Sequence, residues 1–228
     1  MEGRGILRRE IKEEMIKLGA KELRKIQPDS HQLTKIKRQP IYLVLDNVLD
    51  TYNVGAIFRL ADAVAAEMVY LCGETARPED PKVGHKIEKA SVGVWKWVPW
   101  QYVKSAKKAI QFVQEVSSAT GPASPFLPAD ARRLNRQAAR RRDPFQASHP
   151  SPQIMAIEQH PKSISYEKAD YQLPLTLVVG NETKGVSKEV LDLCDQIVEI
   201  PMWGVNKSLN VMVSLAIVLY KVMESVVK

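Results

Sequence analysis

The stretch IYLVLDNVLDTYNVGAIFRLADAVAAEMVYLC, running from Ile41 to Cys72, decides the fold. IYLVLD is a short, almost wholly apolar run, the pattern of a strand buried on both faces. Asn53 then reads as the N-cap of a helix through VGAIFRLADAVAA, and MVYLC follows as the next strand. Strand, helix and strand in that order make a βαβ unit, in which the two strands lie parallel.

Toward the C-terminus the rhythm repeats, with a short helix expected around Lys82–Lys89, a strand-like WKWVPW from Trp95 to Trp100, and a helix from about Tyr102 to Glu115. After a break, QIMAIEQ, LTLVVG and QIVEIPM read as strands, a helix through KEVLDLC takes Ser187 as its N-cap, and a long final helix opens at Ser208. The alternation predicts an α/β fold with a mostly parallel sheet covered by helices on both faces. Ligands on such sheets bind beyond the carboxyl ends of the strands, so the loops at residues 46–53, 180–185 and 201–207 are expected to converge on one site.

Two segments stand outside this pattern. Residues 1–38 form a basic, helix-like extension in which Ile6, Leu7, Ile11, Ile16, Leu23 and Ile26 alternate with arginines and lysines. It suits packing on its own domain as well as it suits contact with RNA. The rest, residues 39–228, reads as one domain interrupted at 116–152, where six prolines mix with Ser, Ala and the run Arg140, Arg141, Arg142. Connections in such folds usually take about 2 to 6 residues, so this segment is expected to be a disordered insertion.

Composition narrows the function. With 45% hydrophobic and 26% charged residues the chain has the balance of a soluble globular protein, which argues against wholesale disorder and a membrane-embedded body. A formal charge of +7 attracts polyanions, nucleic acid above all. The N-terminus lacks an apolar h-region and so does not read as a signal peptide. Cys72 and Cys194 stand alone, and His31, His85, His149 and His160 form no ligand pattern, so neither a disulfide framework nor a metal site is expected and a reducing cytoplasm fits.

The loops carry the chemistry. GNETKG lacks the Lys and Ser or Thr that a Walker loop needs after its second glycine, since Val186 stands there. No GxGxxG follows the first strand, so a nucleotide-like ligand has to be held another way. Glu182, at a strand-to-helix turn, can accept from a ribose hydroxyl or face water. Arg59, six residues after Asn53, can offer its planar fork to a phosphate or pair with Asp62 or Glu67. Ser208, Leu209 and Asn210 open the last helix and make a polar rim beside an apolar body, with N-capping sufficient to explain Ser208.

Three segments, NVGAIFRLADA, LVVGNETKGVS and IPMWGVNKSLNVMVSLAIVLY, together resemble the three motifs of the SpoU/TrmH branch of the SPOUT RNA methyltransferases. The likeness runs from about Ile41 to the C-terminus, the 116–152 segment excepted. It implies a C-terminal deep trefoil knot, an exception to the rule that chains do not thread. It implies S-adenosylmethionine bound by backbone groups of Gly180, Ile200, Met202 and Leu209, with no metal, and a homodimer formed through the last helix.

Position by position, Asn53 and Arg59 match the first motif's catalytic pair, Glu182 the acid of the second, and Ser208 and Asn210 the polar pair of the third. Met212 departs from the usual serine. The implied reaction is 2′-O-methylation of a ribose in structured RNA. The short extension before Ile41 is a layout associated more with transfer RNA than with ribosomal RNA. The competing readings are an rRNA methyltransferase and a knotted RNA-binding module without activity. Limited proteolysis is expected to cut first between Ala123 and Ser148, and resistance across that stretch would mean an ordered element instead.

Overall fold

The computed structural model describes residues 17–117 and 151–226, so the first part of the N-terminal run and the bulk of the 116–152 segment lie outside the described residues. The described part of the extension is not one continuous helix but two short ones, α1 (Ala20–Lys25) and α2 (Ser30–Thr34). Pro28 interrupts the run, because it has no N–H to donate and disfavours helical geometry at the residue before it. Asp29 starts the chain again, its Oδ1 accepting from the Gln32 N–H at 2.7 Å while the Gln32 side chain accepts from the Asp29 N–H at 3.1 Å. Leu18, Leu23, Ile26, Leu33 and Ile36 pack against the main core, so this part of the extension lies on its own domain; Lys21, Arg24, Lys25, Lys35 and Lys37 are exposed, while Arg38 is half-buried and donates to the Ala66 and Trp97 carbonyls at 3.1 and 2.6 Å.

From there the order is β1 (Gln39–Asp46), α3 (Thr51–Ala63), β2 (Ala66–Cys72), α4 (Gly84–Ser91), a 3-10 turn (Val94–Lys96), β3 (Trp100–Val103) and α5 (Ala106–Ser117). Beyond residue 150 follow β4 (Gln153–Ile157), β5 (Ile164–Ser165), β6 (Leu175–Gly180), α6 (Lys188–Leu191), β7 (Gln196–Glu199) and α7 (Val211–Val226). The strands form one seven-stranded sheet in the order β3-β2-β1-β6-β4-β7-β5, and every pairing is parallel. The expected α/β architecture is therefore present. Among the described residues no helix is long and apolar enough to cross a membrane.

The unbroken apolar runs are explained by burial on both faces. Leu43 and Leu45 of β1, with Leu177 of β6, join the core under α3 and α7, where Ile57, Phe58, Leu215, Val218 and Leu219 lie. Val44 and Val178, pointing the other way by the two-residue period of a strand, join Ile110 and Val113 of α5 and Val190 of α6. Strand β6, buried along its whole length between β1 and β4, is the middle of the sheet.

Several boundaries differ from the sequence expectation, among them the helix expected from Tyr102, which starts at Ala106 because Tyr102 lies in β3. WKWVPW is not a strand: Val92 and Gly93 take left-handed backbone (φ 59° and 85°) and a 3-10 turn follows. The strand starts only at Trp100, after Pro99, which has no N–H to give a ladder and uses its carbonyl alone, accepting from the Val69 N–H at 3.0 Å. Trp100 meets both Phe58 and Trp95 edge to face. The last helix opens at Val211 rather than Ser208, because Asn210 supplies the cap, its Oδ1 accepting from the Met212 N–H at 2.9 Å and the Val213 N–H at 3.4 Å.

Thr176 in β6 is fully buried and its hydroxyl has no hydrogen-bond partner among the described residues. An unsatisfied buried hydroxyl costs about 1–3 kcal/mol, so Thr176→Val should raise stability by about 1 kcal/mol, read as a higher urea midpoint at unchanged slope.

Candidate functional site

Strands β1 and β6 lie side by side in the sheet although four strands, β2 to β5, separate them in sequence. The sheet reverses its direction of growth there, which opens a crevice beyond their carboxyl ends. Asp46 and Gly180 are register partners at those ends. The loops after β4 and β7 open on the same edge.

Helix α3 begins at Thr51 with Asp50 as its cap, not at Asn53 as the sequence suggested: Asp50 Oδ1 accepts from the Tyr52 N–H at 2.8 Å. Asn53 is thus the third helical residue, is buried, and its amide is free to bond sideways. Its Nδ2 donates to Glu182 Oε1 at 3.0 Å, and its Oδ1 accepts from Asn210 Nδ2 at 3.0 Å. Glu182 also accepts from the Leu49 N–H through Oε2 and the Asp50 N–H through Oε1, both at 3.0 Å. A continuous chain of hydrogen bonds therefore runs from the start of α7 through Asn210 and Asn53 to Glu182 and the β1–α3 loop. Burial by itself would raise the Glu182 carboxyl, but the Leu49 N–H, the Asn53 amide and the Asp50 N–H outweigh it and hold the group below its ordinary range. At neutral pH Glu182 is a carboxylate that accepts and does not donate.

The turn after β6 is built from backbone. Asn181 and Gly185 exchange two hydrogen bonds, and a Cβ at Gly180 would stand 2.2 Å from the Gly185 carbonyl carbon and the Val186 nitrogen. Only glycine fits there, so the glycines of GNETKG serve a tight turn rather than a phosphate cradle. Two carboxylates that the sequence reading passed over fix this turn. Glu158 Oε2 accepts from the Val186 N–H at 2.8 Å, and the buried Asp46 accepts from the Ser187 N–H at 2.9 Å. Each stands at or just after the end of an apolar strand, IYLVLD or IMAI, and an acid in that position was the available signal.

A cleft of about 460 Å³ adjoins the chain of hydrogen bonds. All four residues expected to hold a cofactor, Gly180, Ile200, Met202 and Leu209, line it, together with Glu182, Ser208 and Asn210. The volume lies in the range of roughly 300–1,000 Å³ that small-molecule sites occupy. The wall mixes Ile157, Val179, Met202 and Leu209 with polar groups, which suits a ligand with an apolar ring and polar ends. Ser208 reaches the cleft but not the hydrogen-bonded chain; its own N–H donates to Asn206 Oδ1 at 3.4 Å. Met212 packs toward the core instead of the cleft.

Arg59 is not brought into the cluster. It is exposed on α3, about 9 Å further along the axis than Asn53 and on another side of the helix by the helical period. Among the described residues its guanidinium makes neither a hydrogen bond nor an ion pair, so neither Asp62 nor Glu67 claims it. Nor is any group of His, Cys, Asp and Glu among them arranged to hold a metal ion.

Residues 40–124 and 145–220 match the SpoU rRNA Methylase family. The chain is 31% identical over 186 residues to a tRNA (guanosine(18)-2′-O)-methyltransferase of Aquifex aeolicus, an alignment covering 81% of this chain and 70% of that protein. It is 26% identical over 191 residues to the 23S rRNA (guanosine-2′-O-)-methyltransferase RlmB of Ralstonia nicotianae, covering 83% of this chain and 60% of that one. The chain thus spans 60% to 70% of the length of these two relatives. Its fold matches the crystal structure of the SpoU methyltransferase AviRb from Streptomyces viridochromogenes with a TM-score of 0.61 and 26% identity, over 86% of this chain and 63% of AviRb. A second AviRb crystal structure, in complex with the cofactor AdoMet, matches with a TM-score of 0.61 and 24% identity, over 84% and 60%.

The lowered Glu182 carboxyl gives a pH signature. The unfolded chain takes up this proton at a higher pH than the folded chain does. Its contribution to stability is therefore complete above the ordinary carboxylate pKa of 4.5 and is lost as pH falls below it. Urea midpoints measured from neutral to acid pH should fall more steeply for the wild type than for Glu182→Gln, which starts lower and lacks this titration; parallel curves would show that Glu182 is not held in this way.

Proposed function

The chain belongs to the SpoU rRNA Methylase family of RNA 2′-O-ribose methyltransferases, and we propose on that premise that it methylates a ribose 2′-oxygen of structured RNA with S-adenosylmethionine as donor. The observation that carries this reading is the adjacency of the Asn210–Asn53–Glu182 chain to a cleft lined by Gly180, Ile200, Met202 and Leu209. When bound, S-adenosylmethionine supplies an electrophilic methyl group. The residues fit such a ligand. Gly180 has no Cβ to narrow the cleft floor, Ile200, Met202 and Leu209 offer apolar surface, and the Glu182 carboxylate places negative charge nearby.

The chain's own task is to place the ribose and manage its hydroxyl proton. Asn53, Glu182, Ser208 and Asn210 are the positioning set. Glu182 does so by locking the β1–α3 loop, since three of its acceptor sites are taken by Leu49, Asp50 and Asn53. Arg59 anchors phosphate and stabilises charge developing on the ribose oxygen. A guanidinium is always protonated, so it cannot act as a base by itself, and its exposed, unpaired state suits an anion brought by the substrate.

Transfer RNA is the favoured substrate, because the tRNA methyltransferase of Aquifex aeolicus has the higher identity of the two relatives described; ribosomal RNA is the alternative. The active form is a homodimer paired through α7, whose Val213 and Tyr220 remain exposed while Leu215, Val218, Leu219 and Val222 are buried against the body. The C-terminal part is a deep trefoil knot, in keeping with β6 entering between β1 and β4 and with the return of α7 onto α3.

Arg59→Ala should lower methyl transfer from labelled S-adenosylmethionine to RNA by at least about a hundredfold, while calorimetry shows unchanged cofactor affinity. Wild-type rates in that variant would remove Arg59 from the mechanism. Failure of the wild type to bind S-adenosylmethionine would favour the RNA-binding module without activity. Mapping 2′-O-methyl sites in RNA from cells with and without the gene distinguishes tRNA from rRNA.

A further inference from the structure

The loop from Ile200 to Asn210 has two sides. Ile200, Met202, Asn206, Ser208 and Leu209 line the cleft, and the loop is tied down where Gln159 Nε2 donates to the Lys207 carbonyl at 2.5 Å. Between those lining residues stands Trp203, 92% exposed. The three other tryptophans behave otherwise: Trp97 is buried, and Trp95 and Trp100 stack edge to face and are half-buried. Indole carries a large apolar surface with a flat π-face, and here it stands almost wholly in water on the loop that walls the cleft.

Resting on the RNA reading above, we infer that Trp203 is a stacking platform for an unpaired RNA base next to the nucleotide being methylated. Single-stranded RNA is recognised by laying splayed bases on aromatic rings, a contact open to every base because each has a π-face. The surroundings fit that occupant better than a second protein copy. The core of a protein interface is a continuous apolar patch. Here the exposed residues that follow Trp203 are Gly204, Val205, Asn206, Lys207, Ser208 and Leu209, in which small or polar residues separate the two apolar ones, Val205 and Leu209. Lys207 in this loop and Lys184 in the neighbouring turn are both exposed and offer charge to the phosphates flanking a stacked base.

Acrylamide quenching of the full chain reads Trp203 most strongly, because Trp97 is buried and Trp95 and Trp100 are half-buried; Trp203→Phe should remove most of the quenchable emission, and the difference from the wild type isolates Trp203. Adding a stem–loop RNA with an unpaired loop should protect Trp203, whereas a blunt duplex of the same composition should not. Trp203→Leu should weaken stem–loop binding by about tenfold and Trp203→Phe by much less, since leucine keeps the apolar surface without the ring. S-adenosylhomocysteine affinity should be unchanged in both variants. Stem–loop binding that leaves Trp203 quenchable, or a Trp203→Leu variant that binds as the wild type does, overturns the inference. So does protection without RNA that disappears on dilution, which would assign the ring to a contact between copies. A wild type that binds no RNA overturns this reading and the proposed function together. RNA protection of Trp203 without methyl transfer overturns the proposed reaction and leaves the platform standing.

Discussion

Glu182 accepts from two backbone N–H groups and one amide of the segment Leu49–Asn53, and that convergence turns remote pieces of chain into one site. A carboxylate has room for several donors, and hydrogen bonds to a charged group are stronger than those between neutral groups. Once the β1–α3 loop is held, Asn53 has a fixed position, and Asn53 in turn fixes Asn210 at the head of α7. Asn210 spends its carbonyl oxygen on the helix cap and its amide on Asn53, so the entry angle of the last helix and the shape of the cleft are set by one side chain. Loss of the carboxylate would release three donors at once.

Beneath this chain lies a second layer of carboxylates that touch only backbone. Asp46 and Glu158 tie the tips of β1 and β4 to the residues after β6, at Ser187 and Val186. Asn181 adds a bond from its amide to the Asn47 carbonyl, while its Oδ1 accepts from the Thr183 and Lys184 N–H groups. The turn carrying Glu182 is therefore rigid before any ligand arrives, which is the preorganisation that electrostatic catalysis needs.

Much of this was readable from residues alone. The runs IYLVLD, LTLVVG and QIMAI could be recognised because a strand buried on both faces has no polar alternation to confuse. Motif resemblance singles out Asn53, Glu182 and Asn210 among its five matched positions, and these three are joined by hydrogen bonds. Boundaries were less legible. Asn53 and Ser208 are good cap residues by type, but a cap is decided by which side chain reaches the first free N–H, and Asp50 and Asn210 reach it. WKWVPW has strand composition, yet Val92 and Gly93 turn the chain before it and Pro99 blocks a ladder within it. Asp46 and Glu158 were missed because a lone acid carries no spacing pattern, and its meaning comes from a turn that arrives over a hundred residues or some thirty residues later in sequence.

The parallel pairing of β1 with β6 has a consequence for biosynthesis. Strand β1 is among the first pieces of the sheet to leave the ribosome, but the neighbour that covers its second edge is made near the end. At about 5–20 residues per second the nascent chain exposes a Val- and Leu-rich edge for on the order of ten seconds, long enough to recruit a stray strand from another polypeptide. The edge of β1 that β6 covers thus stays unpaired until synthesis passes Gly180.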